Sequence, residues 1–113
     1  MENEFIKKVK AIVDANIDNF EFNVEQLCKE VHLSHSQLHR KLSALTGLSA
    51  SRFIRHIRLY KAKEMLKDAM ISITAVAFDT GFNDPSYFGR IFKKEFGKTP
   101  KEYQEYYQST IAE

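Results

Sequence analysis

The sequence predicts an all-α protein of seven helices, in which two copies of a short helix, a tight turn and a longer helix are joined by one long helix. Three observations carry this. Apolar residues recur three and four positions apart through most of the 113 residues, the spacing that lines one face of a helix. Strand signals are nearly absent, with no Asn-Gly hairpin turn and no sustained alternation. The middle of the chain also repeats near its end: Leu38-His39-Arg40-Lys41-Leu42 matches Phe88-Gly89-Arg90-Ile91-Phe92 at an offset of 50.

The first helix is predicted over about Glu4–Ile17, with Phe5, Ile6, Val9, Ile12, Val13 and Ile17 at helical spacing. A second, about Val24–Val31, puts Val24, Leu27, Cys28 and Val31 on one face. Ser34 opens a third, because Ser34 and Gln37 fit a capping box that satisfies two free N–H groups. It ends near Thr46, where Gly47 can take the left-handed cap. The fourth and longest, about residues 50–68, carries an apolar stripe of Phe53, Ile54, Ile57, Tyr60, Leu66 and Ala69. Arg52, Arg55, Arg58 and Lys61 are assigned to its surface. A fifth runs from about Ile73 to Thr80 and stops at Gly81. Asp84-Pro85 opens a sixth, with Asp as N-cap and Pro at the first helical position, and Gly97 closes it. Thr99-Pro100-Lys101-Glu102 repeats that start signal for a last helix at about 100–107, after which residues 108–113 are expected to fray.

Composition narrows the function classes. Hydrophobic residues make up 43% and charged residues 28%, which suits one globular domain. The single cysteine, Cys28, excludes an internal disulfide framework. No run approaches the roughly 20 apolar residues a membrane-spanning helix needs, and the start, Met1-Glu2-Asn3-Glu4, has no basic end or apolar stretch of a signal peptide. A cytoplasmic, nucleoid-associated location is expected, although a longer parent protein could be membrane-anchored.

Charge is unevenly spread. Residues 1–33 hold four Lys/Arg against seven Asp/Glu, residues 34–67 hold eight against one, and residues 68–113 hold five against seven. A basic middle between mildly acidic ends is a footprint for a polyanion. The repeat sharpens this. The offset of 50 also aligns Gly47 with Gly97 and Phe53 with Tyr103, while the upstream helices align at 49, so one residue is inserted at the second turn. Each copy, a short helix followed by a turn and a longer helix with an arginine in its second turn, has the helix-turn-helix plan. In that plan the second helix enters a DNA groove.

The run Ala77-Phe78-Asp79-Thr80-Gly81-Phe82-Asn83-Asp84-Pro85-Ser86-Tyr87-Phe88-Gly89-Arg90-Ile91-Phe92-Lys93-Lys94-Glu95-Phe96-Gly97-Lys98-Thr99-Pro100-Lys101-Glu102-Tyr103 resembles the signature of the AraC-type transcriptional regulators. The first half agrees more loosely, through Leu33-Ser34, Leu38, Arg40, Gly47 and Arg58-Leu59-x-x-Ala62. The resemblance covers about residues 24–107. It implies a homeodomain-like pair of helix-turn-helix units, at about 24–47 and 73–97, reading two successive major-groove segments of double-stranded DNA. Residues 1–23 are then a lead-in. That lead-in is similar to the segment preceding such domains in regulators fused to two-component receiver modules, so a C-terminal piece of a longer regulator is favoured over a complete small one. Where the family often carries Tyr-Arg, Gln104 follows Tyr103 here.

The exposed face of the third helix is expected to present His35, Ser36, His39, Arg40 and Ser43, with Leu38, Leu42 and Leu45 facing the core. The resemblance implies base contact at Ser36, His39 and Arg40, and at Ser86, Tyr87, Gly89 and Arg90 of the sixth helix. Arginine to guanine is the commonest specific contact, although either arginine could instead pair with a surface carboxylate or orient its helix on phosphate. Lys41, Arg52, Arg55, Lys93, Lys94 and Lys98 are candidate phosphate contacts. Double-stranded DNA is the expected partner and RNA polymerase a further candidate. The domain alone is expected to be a monomer, and the longer protein a possible dimer.

Other chemistries lack support. His35 and His39 have a metal-ligand spacing, with His32 nearby, but no cysteine or carboxylate completes a site on that face. No phosphate loop or nucleophile elbow is present, so neither a cofactor, a metal nor catalysis is expected. His56 is assigned to a surface or interface, and Met65 and Met70 to core filling. The competing class is a helical protein-binding module using Tyr103, Tyr106 and Tyr107.

Overall fold

The computed structural model describes residues 3–111. Among the described residues seven helices follow one another: α1 (Glu4–Ala15), α2 (Val24–Val31), α3 (His35–Thr46), α4 (Ala50–Met65), α5 (Ile73–Asp79), α6 (Pro85–Phe96) and α7 (Pro100–Ile111). No strand occurs among the described residues.

The caps are where the side-chain chemistry puts them. Ser34 and Gln37 form a reciprocal capping box, Asp84 accepts from the N–H groups of Ser86 and Tyr87, and Thr99 and Glu102 exchange bonds at the start of α7. Gly47 and Gly97 close α3 and α6 at φ 76° and 80°. The inserted residue of the second unit is Asn83. His32 and Gly81, at equivalent places, are both left-handed, and the next residue's N–H bonds back to Cys28 and Ala77 respectively. Ser34 caps α3 two residues after His32, whereas Asp84 caps α6 three residues after Gly81.

Two cores lie side by side. The first gathers Ile6, Val9, Val13, Phe22, Leu27, Val31, Leu38 and Leu42 from α1–α3 and the lead-in. The second gathers Val76, Ala77, Phe82, Phe88 and Phe92 from α5 and α6. Helix α4 serves both: Ala50, Phe53, Ile54 and Ile57 enter the first, and Leu59, Ala62 and Leu66 enter the second. Arg58 sits at the hand-over and is itself buried, at 5% exposure. Its assignment to the helix surface is thus corrected. The physical reason is register: Ala50, Ile54, Arg58, Ala62 and Leu66 form one i, i+4 ridge, all of it buried.

Other expectations also shift. Helix α1 ends at Ala15, where the Asn16 N–H turns back to Val13 O. Helix α4 ends at Met65, because the N–H groups of Lys67 and Asp68 tighten onto Glu64 O and Met65 O. That turn carries Ala69 and Met70 into solvent, Met70 at 91% exposure, so Met70 fills no core. Leu45 and Tyr60 are also exposed, rather than facing the core and carrying the α4 stripe. Tyr60 lies edge-on to Phe96 on the outside of the second core. Helix α7 continues past Tyr107 to Ile111 instead of fraying at Gln108. The amide groups of Gln104 and Gln108 hold it by donating to the carbonyls of Asp68, Ile71 and Lys67 in the turn after α4. Residues 112 and 113 of the expected tail lie outside the described residues.

Candidate nucleic-acid interface

In each unit the second helix is anchored by buried apolar groups, Leu38 and Leu42 in α3, Phe88 and Phe92 in α6. The opposite faces are open. Ser36, His39 and Arg40 are exposed on α3, and Ser86, Tyr87 and Arg90 on α6. Ser36 and Ser86, His39 and Gly89, and Arg40 and Arg90 occupy equivalent places in the two copies. Gly89 is half-buried, yet a Cβ there would meet nothing within 4 Å. Packing therefore does not demand glycine at this point of α6.

Neither Arg40 nor Arg90 pairs with a carboxylate among the described residues, and the side chains of Arg52, Arg55, Lys93 and Lys94 likewise form no ion pair there. Their charge faces water, available to a polyanion. Lys41 and Lys98 differ. Lys41 Nζ lies 4.2 Å from the centre of the Phe5 ring and Lys98 Nζ lies 4.9 Å from that of Tyr106. Each already has an aromatic partner. Tyr87 is partly exposed at the start of α6, with its ring 6.5 Å from Phe82.

The cations that the sequence scatters over two helices meet in one place. Arg52, Arg55 and Lys94 line a cleft of about 300 Å³ between the start of α4 and the outer half of α6, with Leu48, Leu59 and Ile91 also lining it. Arg55 also lines a second hollow, with Asn23, Ser51 and Tyr87, so it stands at the seam of the two units. Three cations share this cleft with a single carboxylate, Glu95, so the cleft keeps a net positive charge that favours an anion. His56 shares the first cleft. Its Nδ1 lies 3.8 Å from a Glu95 oxygen, and its ring sits between Phe53 and Tyr60. His56 thus connects α4 to α6.

Arg58 is the residue that the sequence reading missed. Its guanidinium donates to Ile17 O, to Thr80 O and Asn19 O at 3.0 Å, and to Phe22 O at 3.3 Å. Burial pulls its pKa below the ordinary guanidinium value, and the Asp18 carboxylate partly offsets this. The i, i+4 ridge was the available signal, since Arg58 falls between Ile54 and Ala62.

The aromatic surface of α7 is largely taken up within the chain. Tyr103 packs edge-on to Phe92 with Lys63 over its ring, and Lys67 lies over Tyr107. No group of metal-binding side chains occurs among the described residues, and no helix there is long and apolar enough to cross a membrane.

Comparison with known proteins agrees with this geometry. A family model described as a helix-turn-helix domain matches residues 27–106. A histidine kinase of Formosa agariphila is 34% identical over 107 residues, which is 95% of this chain and 8% of the kinase. The transcriptional activator RhaS of Escherichia coli is 34% identical over 82 residues, 73% of this chain and 30% of the activator. The chain therefore spans less than a third of the length of these relatives. Among solved structures, a DNA-binding transcriptional dual regulator of Escherichia coli K-12 superposes with a TM-score of 0.84 at 28% identity, covering 96% of each chain. With two helix-turn-helix units, seven helices and a family match over most of its length, the chain belongs to the AraC-type helix-turn-helix domains, the sequence-specific DNA-binding parts of transcription regulators.

Proposed function

We propose that this domain reads two successive major-groove segments of one duplex, α3 in the first and α6 in the second, as the output part of a longer bacterial regulator. The observation that carries this reading is the equivalence of the two exposed faces. Ser36, His39 and Arg40 stand on one helix where Ser86, Gly89 and Arg90 stand on the other, each face free of ion-pair partners among the described residues and each backed by a buried apolar anchor. Arg40 reads a base edge, most simply guanine through two parallel bonds. Arg90 and Tyr87 set the second helix in its groove. Between them, Arg52, Arg55 and Lys94 receive the phosphates that cross from one groove to the next.

The basic middle of the chain supplies the long-range attraction. Lys93 extends it along α6, and Lys41 and Lys98 contribute less because each is shared with an aromatic ring. The domain alone binds as a monomer, since both reading helices belong to one chain. In the parent protein a dimer would double the site, and RNA polymerase is the candidate partner for the outward surfaces. The working compartment is the bacterial cytoplasm, where the DNA is.

Selection of bound sequences from a random duplex pool tests the reading directly. Two conserved, non-identical blocks about one helical turn apart are expected. A single short block, or enrichment without any block, would overturn it.

A further inference from the structure

We propose that Arg58 is the positioning residue that fixes the angle between the two recognition helices, by clasping the lead-in turn of residues 16–22 to the end of α5. The inference rests on the two-segment reading above and adds a cause for the rigidity that reading needs.

The geometry is specific to this place. Helix α4 leaves the first core at Ile57 and enters the second at Leu59. The apolar groups on either side hold α4 within each unit, and between them stands one residue whose polar bonds run to both units. That residue is Arg58. Its four carbonyl partners come from two separate elements: Ile17, Asn19 and Phe22 in the lead-in, and Thr80 at the end of α5. A planar guanidinium with donors in a fixed fork defines directions as well as distances. Thr80 is fully buried, and both its hydroxyl and its backbone N–H bond Val76 O, which ties it to the end of α5. Gly81, directly after it, lies against the guanidinium, and Asn83 and Asp84 lead straight into α6. The lead-in end is fixed as well, since Asn19 accepts from the Glu21 N–H through its side chain and from the Phe22 N–H through its carbonyl, both at 3.0 Å.

A consequence follows for the chain that enters the domain. The turn at 16–22 lies in neither helix-turn-helix unit, yet through Arg58 it bears on the start of the second recognition helix. A pull on α1 from any preceding segment reaches α6 by this route.

The test uses the full chain with Arg58→Lys, which keeps the charge but places all its donors on one atom and cannot reach four carbonyls in two directions. Affinity is measured on a duplex carrying both segments and on one with the second segment scrambled. The wild type should prefer the two-segment duplex strongly. In Arg58→Lys that preference should shrink by about tenfold or more as the second unit loses its fixed placement, while affinity for the scrambled duplex stays within about twofold. A second readout needs no DNA. Spin labels at Ala44→Cys and Lys93→Cys, with Cys28→Ala, should give a narrow distance distribution that broadens with Arg58→Lys. Unchanged preference together with an unchanged distribution would overturn the proposal. Should Arg58→Lys fail to fold, Asn19→Ala replaces it, since it leaves Arg58 in place and loosens only the turn that presents the carbonyls. A smaller shift in the same direction supports the proposal, and no shift in either readout overturns it. A wild type that does not distinguish the two duplexes would overturn the two-segment reading instead, and the distance distribution would still decide whether Arg58 holds the units together.

Discussion

Gly81 and Arg58 occupy adjoining space so closely that a Cβ on residue 81 would fall on the Arg58 guanidinium and lie 2.6 Å from the Ile17 carbonyl oxygen. Gly81 also holds φ at +85°. Two separate costs therefore attend Gly81→Ala. The left-handed backbone costs an L-residue roughly 1–2 kcal/mol, and displacing the guanidinium strands buried carbonyls at about 1–3 kcal/mol. Urea unfolding should show a loss of about 2–5 kcal/mol, the sum of those two costs. Gly89→Ala, in a helix with open space around it, should instead gain about 1 kcal/mol from helix propensity. Equal losses at both glycines would contradict this account of Gly81.

That contrast shows what sequence can reveal. The seven helices, their caps and the inserted residue were legible because each rests on local signals: spacing, capping side chains and glycines at helix ends. Arg58 was not legible from residue type, since arginine is usually exposed. Its burial depends on carbonyls that lie 22 to 41 positions away in the chain. Leu45, Tyr60 and Met70 failed in the opposite direction, because an apolar residue on a helix need not face the side that the neighbouring helices cover. The end of α7 depended on Gln108 meeting the turn after α4, again a non-local contact. For the interface, the exposed faces of α3 and α6 followed from the repeat. The meeting of Arg52, Arg55 and Lys94 in one cleft required the packing of α6 against α4.

Arg40 and Lys94 should fail in different ways. Arg40→Ala should cost on the order of 1–3 kcal/mol on the preferred duplex and relax preference at one base pair. Lys94→Ala should weaken all duplexes about equally and lower the slope of log affinity against log salt by about one. Lys41→Ala should change the salt slope less, because its ammonium sits on Phe5, and should cost about 0.5–1 kcal/mol of stability instead. Titrations at several salt concentrations on specific and random duplexes separate the three. An Arg40→Ala variant that loses specific and random binding alike would mark Arg40 as a phosphate contact.

Acid should act on the start of α7. Glu102 accepts the Thr99 backbone N–H at 2.8 Å, and its backbone N–H bonds the Thr99 hydroxyl. The Thr99 backbone N–H, and then its hydroxyl, hold the Glu102 carboxyl below the ordinary glutamate value, with Lys93 and Lys98 adding to the effect. A depressed folded pKa means the contribution is complete above the unfolded value of about 4.3 and disappears as pH falls through the folded value. Glu102→Gln keeps an acceptor for the N–H but cannot titrate. The wild type should therefore be the more stable of the two near pH 6, and the difference should shrink as pH is lowered towards 3. A difference that is the same at both pH values would exclude the carboxylate as its source.

Spacing offers the most severe test of the two-unit reading. Helix α4 has 16 residues, which at 1.5 Å per residue span roughly 24 Å. The molecule extends 46 Å along its longest axis. Successive major-groove faces on one side of a duplex lie roughly 34 Å apart, so a single chain is long enough to reach both, with a modest bend of the DNA closing the remaining gap. The reach is fixed rather than adjustable. Helix α4 is continuous, both its ends are buried in cores, and Arg58 ties the seam. Inserting five base pairs between the two segments turns the second segment to about the opposite side of the duplex, where no rotation of a continuous helix can follow. Affinity should drop to that of a duplex with one segment, and the footprint should contract to the block read by one unit. Inserting ten base pairs restores the face but adds roughly 34 Å, beyond a 46 Å molecule that already spans the original gap, so binding should not recover. Recovery at ten base pairs, or survival at five, would mean that the units move independently or that only one of them reads DNA.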